Sequence, residues 1–294
     1  MGASLGALQI SPIIATVLVP PLDRNPTPGL NHWPLLSDLE ELLIRFHNLL
    51  QWRLKQLFNF DLGSARDSFV YCESAFKSGR RWTAVSYMFV HGSYAHLGRN
   101  LLSLAFSSRG PWNRLGPAAF WTVFFVGGGT AALNSPLQDL QTKRKLSNLM
   151  SVPSSWVPSF VPESWRRGAD RLRHETSGKL TNIVRPHLQF VGCSAGVSAI
   201  AGVNMGIVLE TLKECLCGSG NTTAGLMALV DGVKIVSMVS KETTILLNGL
   251  DTNVDHGGHL TGFGVGLMFY ALFACHSNWR QRQKGALRYR AWKK

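Results

Sequence analysis

Apolar residues fall in blocks about as long as a membrane is thick, and polar residues collect between them. A helix that crosses a bilayer needs about 20 mostly apolar residues. Segments near 92–108, 117–134, 188–210, 223–247 and 257–276 approach that length, and Pro117 suits the first turn of a helix. Residues 2–22 form a further apolar stretch, interrupted by Pro12, Pro20 and Pro21. It reads as a first span or as part of a targeting segment, although the first cation is only reached at Arg24. The stretch 223–247 is the poorest of the set, because it carries Asp231, Lys234, Lys241 and Glu242. Residues 35–60 follow another period: Leu35, Leu36, Leu39, Leu42, Leu43, Phe46, Leu49 and Leu50 recur at helical spacing among charges, as in an amphipathic helix lying on a surface. The pattern predicts an all-α polytopic membrane protein of about six transmembrane helices. It divides into an N-terminal region (1–79), a core (80–276) and a basic tail (277–294). Within the core, 135–187 contains Pro136, Pro153, Pro158 and Pro162. It reads as a long polar connection, the least ordered part of the chain, with no share in any site.

Composition sharpens this picture. Hydrophobic residues make up 45% of the chain but charged residues only 16%, against roughly 25% in soluble domains. That deficit excludes both an ordinary soluble enzyme and a disordered chain. The net charge of +13 is localised: residues 279–294 hold seven cations and no acid, and 139–187 hold nine cations against four acids. Cations segregated into polar segments are the mark of a membrane protein, not of a nucleic-acid-binding face, so the partner implied is the lipid bilayer and no nucleic acid. A cationic tail held on the inner side, with six spans, puts the starts of spans two, four and six at the outer face. The five cysteines (Cys72, Cys193, Cys215, Cys217, Cys275) include no C-x-x-C pair, which disfavours a zinc ribbon or a disulfide framework.

Three polar groups sit at the starts of those same spans. They are His91-Gly-Ser-Tyr-Ala-His96-Leu-Gly-Arg-Asn100, Gly192-Cys193-Ser194-Ala195-Gly196 and Asp255-His256-Gly257-Gly258-His259-Leu260-Thr261-Gly262. Polar groups inside apolar spans are costly and usually face the bundle interior. Topology therefore brings His96, Asn100, Ser194 and His259 to one depth. A hydroxyl and an imidazole at one depth can act as nucleophile and base. Ser194 lies where a helix begins, so free backbone N–H groups are available to an oxyanion. His96 and Asn100, four residues apart, share a helix face and can donate to the same oxygen. Gly192, Gly196, Gly202 and Gly206 on span four, with Gly258, Gly262 and Gly266 on span six, allow two backbones to approach closely. Taken singly, each feature has a plainer reading: G-x-S-x-G is common, and small residues fill membrane helices without catalysis. His256 and His259 beside Asp255 could bind a metal, yet no H-E-x-x-H is present. Cys193 reads as a small buried residue, with no cation nearby in sequence to activate it.

The spacing His91–x4–His96–x3–Asn100, then Gly192-x-Ser194, then His259-x-x-Gly262-x-x-x-Gly266 resembles the rhomboid family of intramembrane serine proteases. The resemblance covers about 80–276 and implies a bundle of six transmembrane helices around a water-filled cavity. It implies Ser194 as nucleophile and His259 as general base. His96, Asn100 and the Ser194 backbone N–H would form the oxyanion hole. No cofactor and no metal are implied, and the substrates are transmembrane proteins. Asp255-His256-x-x-His259-Leu260, Ala105-Phe106-Ser107-Ser108 and Gly116 are most similar to the mitochondrial, presenilin-associated branch, which implies a multi-pass protein of the inner mitochondrial membrane. Several positions depart from the family pattern. Trp112 stands where a Glu often precedes Arg114, Arg81 precedes Trp82 instead of following it, Ala195 replaces a Gly, and Ser198 replaces a Tyr. Those departures fit a second reading, a catalytically silent rhomboid-like scaffold that binds membrane proteins. A transporter using His91, His96, His256 and His259 is a third, disfavoured by too few carboxylates within spans.

Overall fold

A computed structural model describes residues 68–149, 163–184, 188–218, 221–248 and 254–292, together with scattered positions between 41 and 56. The apolar stretch 2–22, much of the amphipathic segment 35–60 and the side chains of the basic tail lie outside the described residues. The described chain is helical. Two short helices, α1 (Glu73–Lys77) and α2 (Thr83–Ser86), lead through a 3-10 turn at Tyr87–Phe89 into α3 (Tyr94–Leu115). There follow α4 (Pro117–Leu133), α5 (Ser135–Leu149), α6 (Glu163–Val184), α7 (Ser194–Leu216), α8 (Thr222–Asn248) and α9 (His256–Trp292). Three described helices are long and apolar enough to cross a membrane: Ser194–Leu216, Thr222–Asn248 and the His256–His276 part of α9. Pro117–Leu133 is a shorter apolar helix. The chain is thus an all-α membrane bundle.

Two helices differ in character from the sequence reading, each for a physical reason. Helix α3 does not stop near 108 but runs through Pro111 to Leu115 and ends at Gly116. Gly116 has φ +79°, a backbone state that a side chain would strain. Arg99, Arg109 and Arg114 make α3 less apolar than its companions, and it is not among the three long apolar helices. Conversely α8, the poorest stretch by sequence, is a 27-residue helix with Leu226, Met227, Leu229, Val230, Val233 and Val236 exposed, as suits a helix facing lipid.

Helix α7 is the centre of the bundle. It packs most extensively on α9 and also on α3, α4 and α8, and Ala195 through Val203 are buried without a break. Water supplies no driving force between helices in lipid, so close packing of small residues must hold them. Here the packing reaches backbone contact. A Cβ on Gly262 would overlap the Ala195 carbonyl oxygen, and one on Gly266 would overlap that of Ala199. Reciprocally, a side chain at Gly202 would meet the backbone of Phe263 and Leu267. Glycines on both helices therefore let α7 and α9 lie against each other over about two turns. An aromatic layer of Trp112, Phe120, Trp121, Phe124 and Phe125 fills the α3–α4 side.

The largest correction concerns the polar insert 135–187. Its described residues are two helices packed on each other, and α5 docks on α8 and α9. Pro136 sits in the first turn of α5, where its missing N–H costs nothing. The polar side chains of α5 serve the start of α9. Gln141 Oε1 accepts from Gly257 N at 3.0 Å while its Nε2 donates to the Val254 carbonyl at 2.7 Å. Gln138 Nε2 donates to the Ala131 carbonyl at 2.8 Å and to Asp255 Oδ2 at 3.2 Å. Segment 135–149 thus supplies partners to N–H and C=O groups that a helix terminus leaves open.

Candidate active site

The site forms where α3, α7 and α9 begin. Each start is built by a local device. Ser93 caps α3, its hydroxyl accepting from His96 N at 3.2 Å, which ties His96 into the first turn. Gly192, at φ +102°, turns the chain into α7 and leaves Ser194 as its first residue. The Asp255 carboxylate caps α9 by accepting from Gly258 N at 2.8 Å.

These turns bring Ser194 and His259 together: Ser194 Oγ lies 2.7 Å from His259 Nε2. Glycine at 262 and 266 makes that distance possible, because any side chain there would push α9 off α7. Both residues line a small cleft with Tyr87, Phe190, Gly192 and Asp255.

His96 and Asn100 approach the same place from α3. A Cβ on Gly192 would lie 3.0 Å from His96 Nε2 and 3.6 Å from Asn100 Nδ2, so both side chains border the glycine two residues before Ser194. Asn100 is only 7% exposed, and its amide nitrogen has no hydrogen-bond partner. A buried donor without an acceptor costs about 1–3 kcal/mol, a cost expected where an acceptor arrives only during function. The Ser194 N–H also lacks an intrahelical acceptor, being the first of its helix.

One member of the site was missed in the sequence. Glu242 of α8 reaches both histidines of α9: its Oε2 lies 3.1 Å from His259 Nδ1 and 2.5 Å from His256 Nδ1. An ionised carboxylate only accepts, so both Nδ1 atoms carry the proton. That leaves His259 Nε2 as an acceptor, aimed at the Ser194 hydroxyl. In the sequence Glu242 counted only as a flaw in an apolar span. A signal was nevertheless present. Helices α8 and α9 are consecutive, so a residue six before the end of one and another three after the start of the next lie at similar depth.

The neighbouring groups are not nucleophiles or bases. Burial pushes the Cys193 thiol up to about 12, which leaves no thiolate at neutral pH. His91 is fully buried and lies 3.5 Å from Cys193 Sγ through Nε2. Burial, with His96 beside it, lowers its pKa to about 3. Ala195 and Ser198, two of the unusual positions, are buried in α7.

The opposite ends of α3, α7 and α9 hold a second polar cluster. One Arg114 guanidinium nitrogen donates to both Glu210 oxygens, at 2.7 and 2.6 Å. The Tyr270 hydroxyl donates to the same carboxylate. Trp112, which replaces the expected acid, packs edge-on against Phe120 at 5.3 Å. The carboxylate for Arg114 comes from α7 instead.

Comparison with known proteins adds one finding. Residues 78–157 match the family model of the Rhomboid domain; neither curated proteins nor solved structures give a match. The matched stretch includes His91, His96 and Asn100, while Ser194, Glu242 and His259 lie beyond it. That match and the apolar helical bundle support the rhomboid family and an integral membrane protein.

Proposed function

We propose that this protein is an intramembrane serine endopeptidase that cleaves membrane-anchored protein substrates. The observation that carries the proposal is the 2.7 Å contact of Ser194 Oγ with His259 Nε2. In the proposed reaction Ser194 Oγ attacks the scissile carbonyl carbon while His259 Nε2 takes the hydroxyl proton. The negative charge that develops on the carbonyl oxygen is met by Asn100 Nδ2, His96 and the Ser194 N–H, donors aligned before the charge appears. His259 then returns its proton to the leaving amine, and water, activated by the same nitrogen, releases the acyl group. Glu242 holds the His259 ring in the tautomer that can accept. A peptide bond within a stable substrate helix is hydrogen-bonded and closed to attack, so substrates with easily unwound helices are preferred. Similarity of the Asp255-His256-x-x-His259-Leu260 stretch to the mitochondrial branch extends the proposal to the inner mitochondrial membrane as the place of action.

The test is cleavage of a transmembrane substrate by the purified chain in liposomes, with Ser194→Ala as control. The expected result is a discrete product with the wild type and none with the variant. Product formation equal in both, or absent from both across substrates with unwound helices, overturns the protease reading in favour of a scaffold. Fractionation of cells carrying a tagged chain tests the location separately.

A further inference from the structure

We infer that Glu242, His256 and His259 form a binding site for a late first-row divalent cation such as Zn2+, and that its occupancy switches the proposed protease off. The binding claim rests on the side-chain cluster alone. The inhibition claim rests on the reading of Ser194 and His259 as nucleophile and base.

The three ligand atoms, Glu242 Oε2, His256 Nδ1 and His259 Nδ1, all lie within 4.8 Å of one another. Two imidazoles and one carboxylate are a ligand set that zinc takes in open sites, with a water in the fourth position. Zinc bonds of about 2.0–2.2 Å in a tetrahedron put neighbouring ligand atoms roughly 3.3–3.6 Å apart. The carboxylate oxygen already stands 2.5 and 3.1 Å from the two nitrogens. A cation can therefore enter with small rotations of the side chains. His256 and His259 are one turn apart on α9 and so project side by side. Glu242 comes from the neighbouring helix, so the site would clamp α8 to α9. His256 is 4% exposed and Glu242 half-buried, and burial of this kind gives a cation few competing waters. The reaction proposed above makes no use of His256.

The consequence follows from the tautomers. In the metal-free site each Nδ1 carries a proton donated to Glu242. A cation needs the Nδ1 lone pair, so on binding the His259 proton moves from Nδ1 to Nε2. The ring stays neutral and no proton is lost. Nε2 is the atom 2.7 Å from Ser194 Oγ. Once protonated it is a donor and has no lone pair for the serine proton. The same three residues that hold the base in its working tautomer would, around a cation, hold it in the other one.

The experiment uses the full chain in detergent micelles. Zn2+ is titrated calorimetrically into the Ser194→Ala protein, which removes self-cleavage and leaves all three ligands. The expected result is one Zn2+ per chain, with affinity at least tenfold weaker in both His256→Gln and Glu242→Gln on that background. Two variants on different helices guard against a folding failure in either. Wild-type cleavage should fall at least tenfold over the same Zn2+ range and return with a chelator. Absence of saturable binding overturns the site. So does equal affinity in folded variants, which would locate the metal elsewhere, for example at His91 and Cys193. Binding without loss of cleavage overturns the switch. If Zn2+ binds and both variants weaken it while no substrate is ever cleaved, the metal site stands and the protease reading falls.

Discussion

Two carboxylates tie helices together at opposite ends of the bundle, Glu210 joining α7 to α3 and α9 and Glu242 joining α8 to α9, and they do so differently. Glu210 and Ser194 are both on α7, sixteen residues apart in sequence, or about 24 Å along the axis. At the far end Arg114 and Tyr270 both donate to Glu210. At the near end Glu242 is equally well served by two imidazoles, yet beside it the Asn100 amide is buried with no acceptor. The far cluster, whose one acid is shared by two donors, fixes helices. A stranded donor such as the Asn100 amide has something to gain from an acceptor, above all one that carries negative charge. The difference separates a pin from the proposed reaction centre where composition would not, since both combine one acid with cationic or aromatic donors.

Substitutions can break or sharpen that contrast. The largest effect is expected for Ser194→Ala, which should lower cleavage by about 10⁴-fold or more, read as initial rates in liposomes with the thermal midpoint unchanged. Next comes Asn100→Ala, expected to lower kcat by about 10²–10³-fold with KM nearly constant. Deleting a stranded buried amide should not destabilise the fold. A loss of melting temperature with kcat intact would make Asn100 structural and erase the contrast. Glu242→Ala should lower kcat by about 10²-fold, less than the roughly 10⁴ known for a fully buried orienting carboxylate, because Glu242 is only half-buried. Partial rescue by Glu242→Asp with KM unaffected marks positioning; a drop in stability without rescue marks a second pin. At the far end Tyr270→Phe should leave kcat unchanged and cost about 1 kcal/mol of stability, measured by thermal unfolding in detergent.

The smallest effect at neutral pH belongs to His91. Its folded pKa of about 3 lies below the ordinary 6.5, so between these values the unfolded chain binds a proton that the folded chain does not. Stability contributed by a neutral His91 is therefore whole above pH 6.5 and declines as pH falls toward 3. His91→Gln should flatten that acid slope relative to wild type in melts across the range, and identical slopes would refute the burial argument.

Much of this was legible in the chain, for reasons that also explain the gaps. Long apolar stretches announce helices because lipid satisfies no backbone group, so α4 and α8 stand where the pattern drew them, while α7 is shifted six residues toward the C-terminus. Ser194 and His259 stood out as polar residues beside glycines at span starts. Glu242 did not, because a single acid in an apolar stretch reads as a cost until the helix carrying it is folded back beside α9. Glu210 was hidden likewise: its partner Arg114 lies 96 residues earlier. Prolines and polar residues make 135–149 look like a connection in sequence, whereas the glutamines of α5 serve another helix's terminus. The amphipathic segment 35–60 and the stretch 2–22 lie largely outside the described residues.

The glycine-to-carbonyl seam between α7 and α9 has a mechanical consequence. Packing at the hard-core limit gives the pair no soft coordinate: α9 cannot slide by half an ångström without lifting over the Ala195 and Ala199 carbonyls. The next position that meshes is one full turn away, about 5.4 Å. Ser194 and His259 therefore sit on a toothed rack with no intermediate stop, and changes in membrane thickness or tension should gate access to the pair long before they alter its spacing.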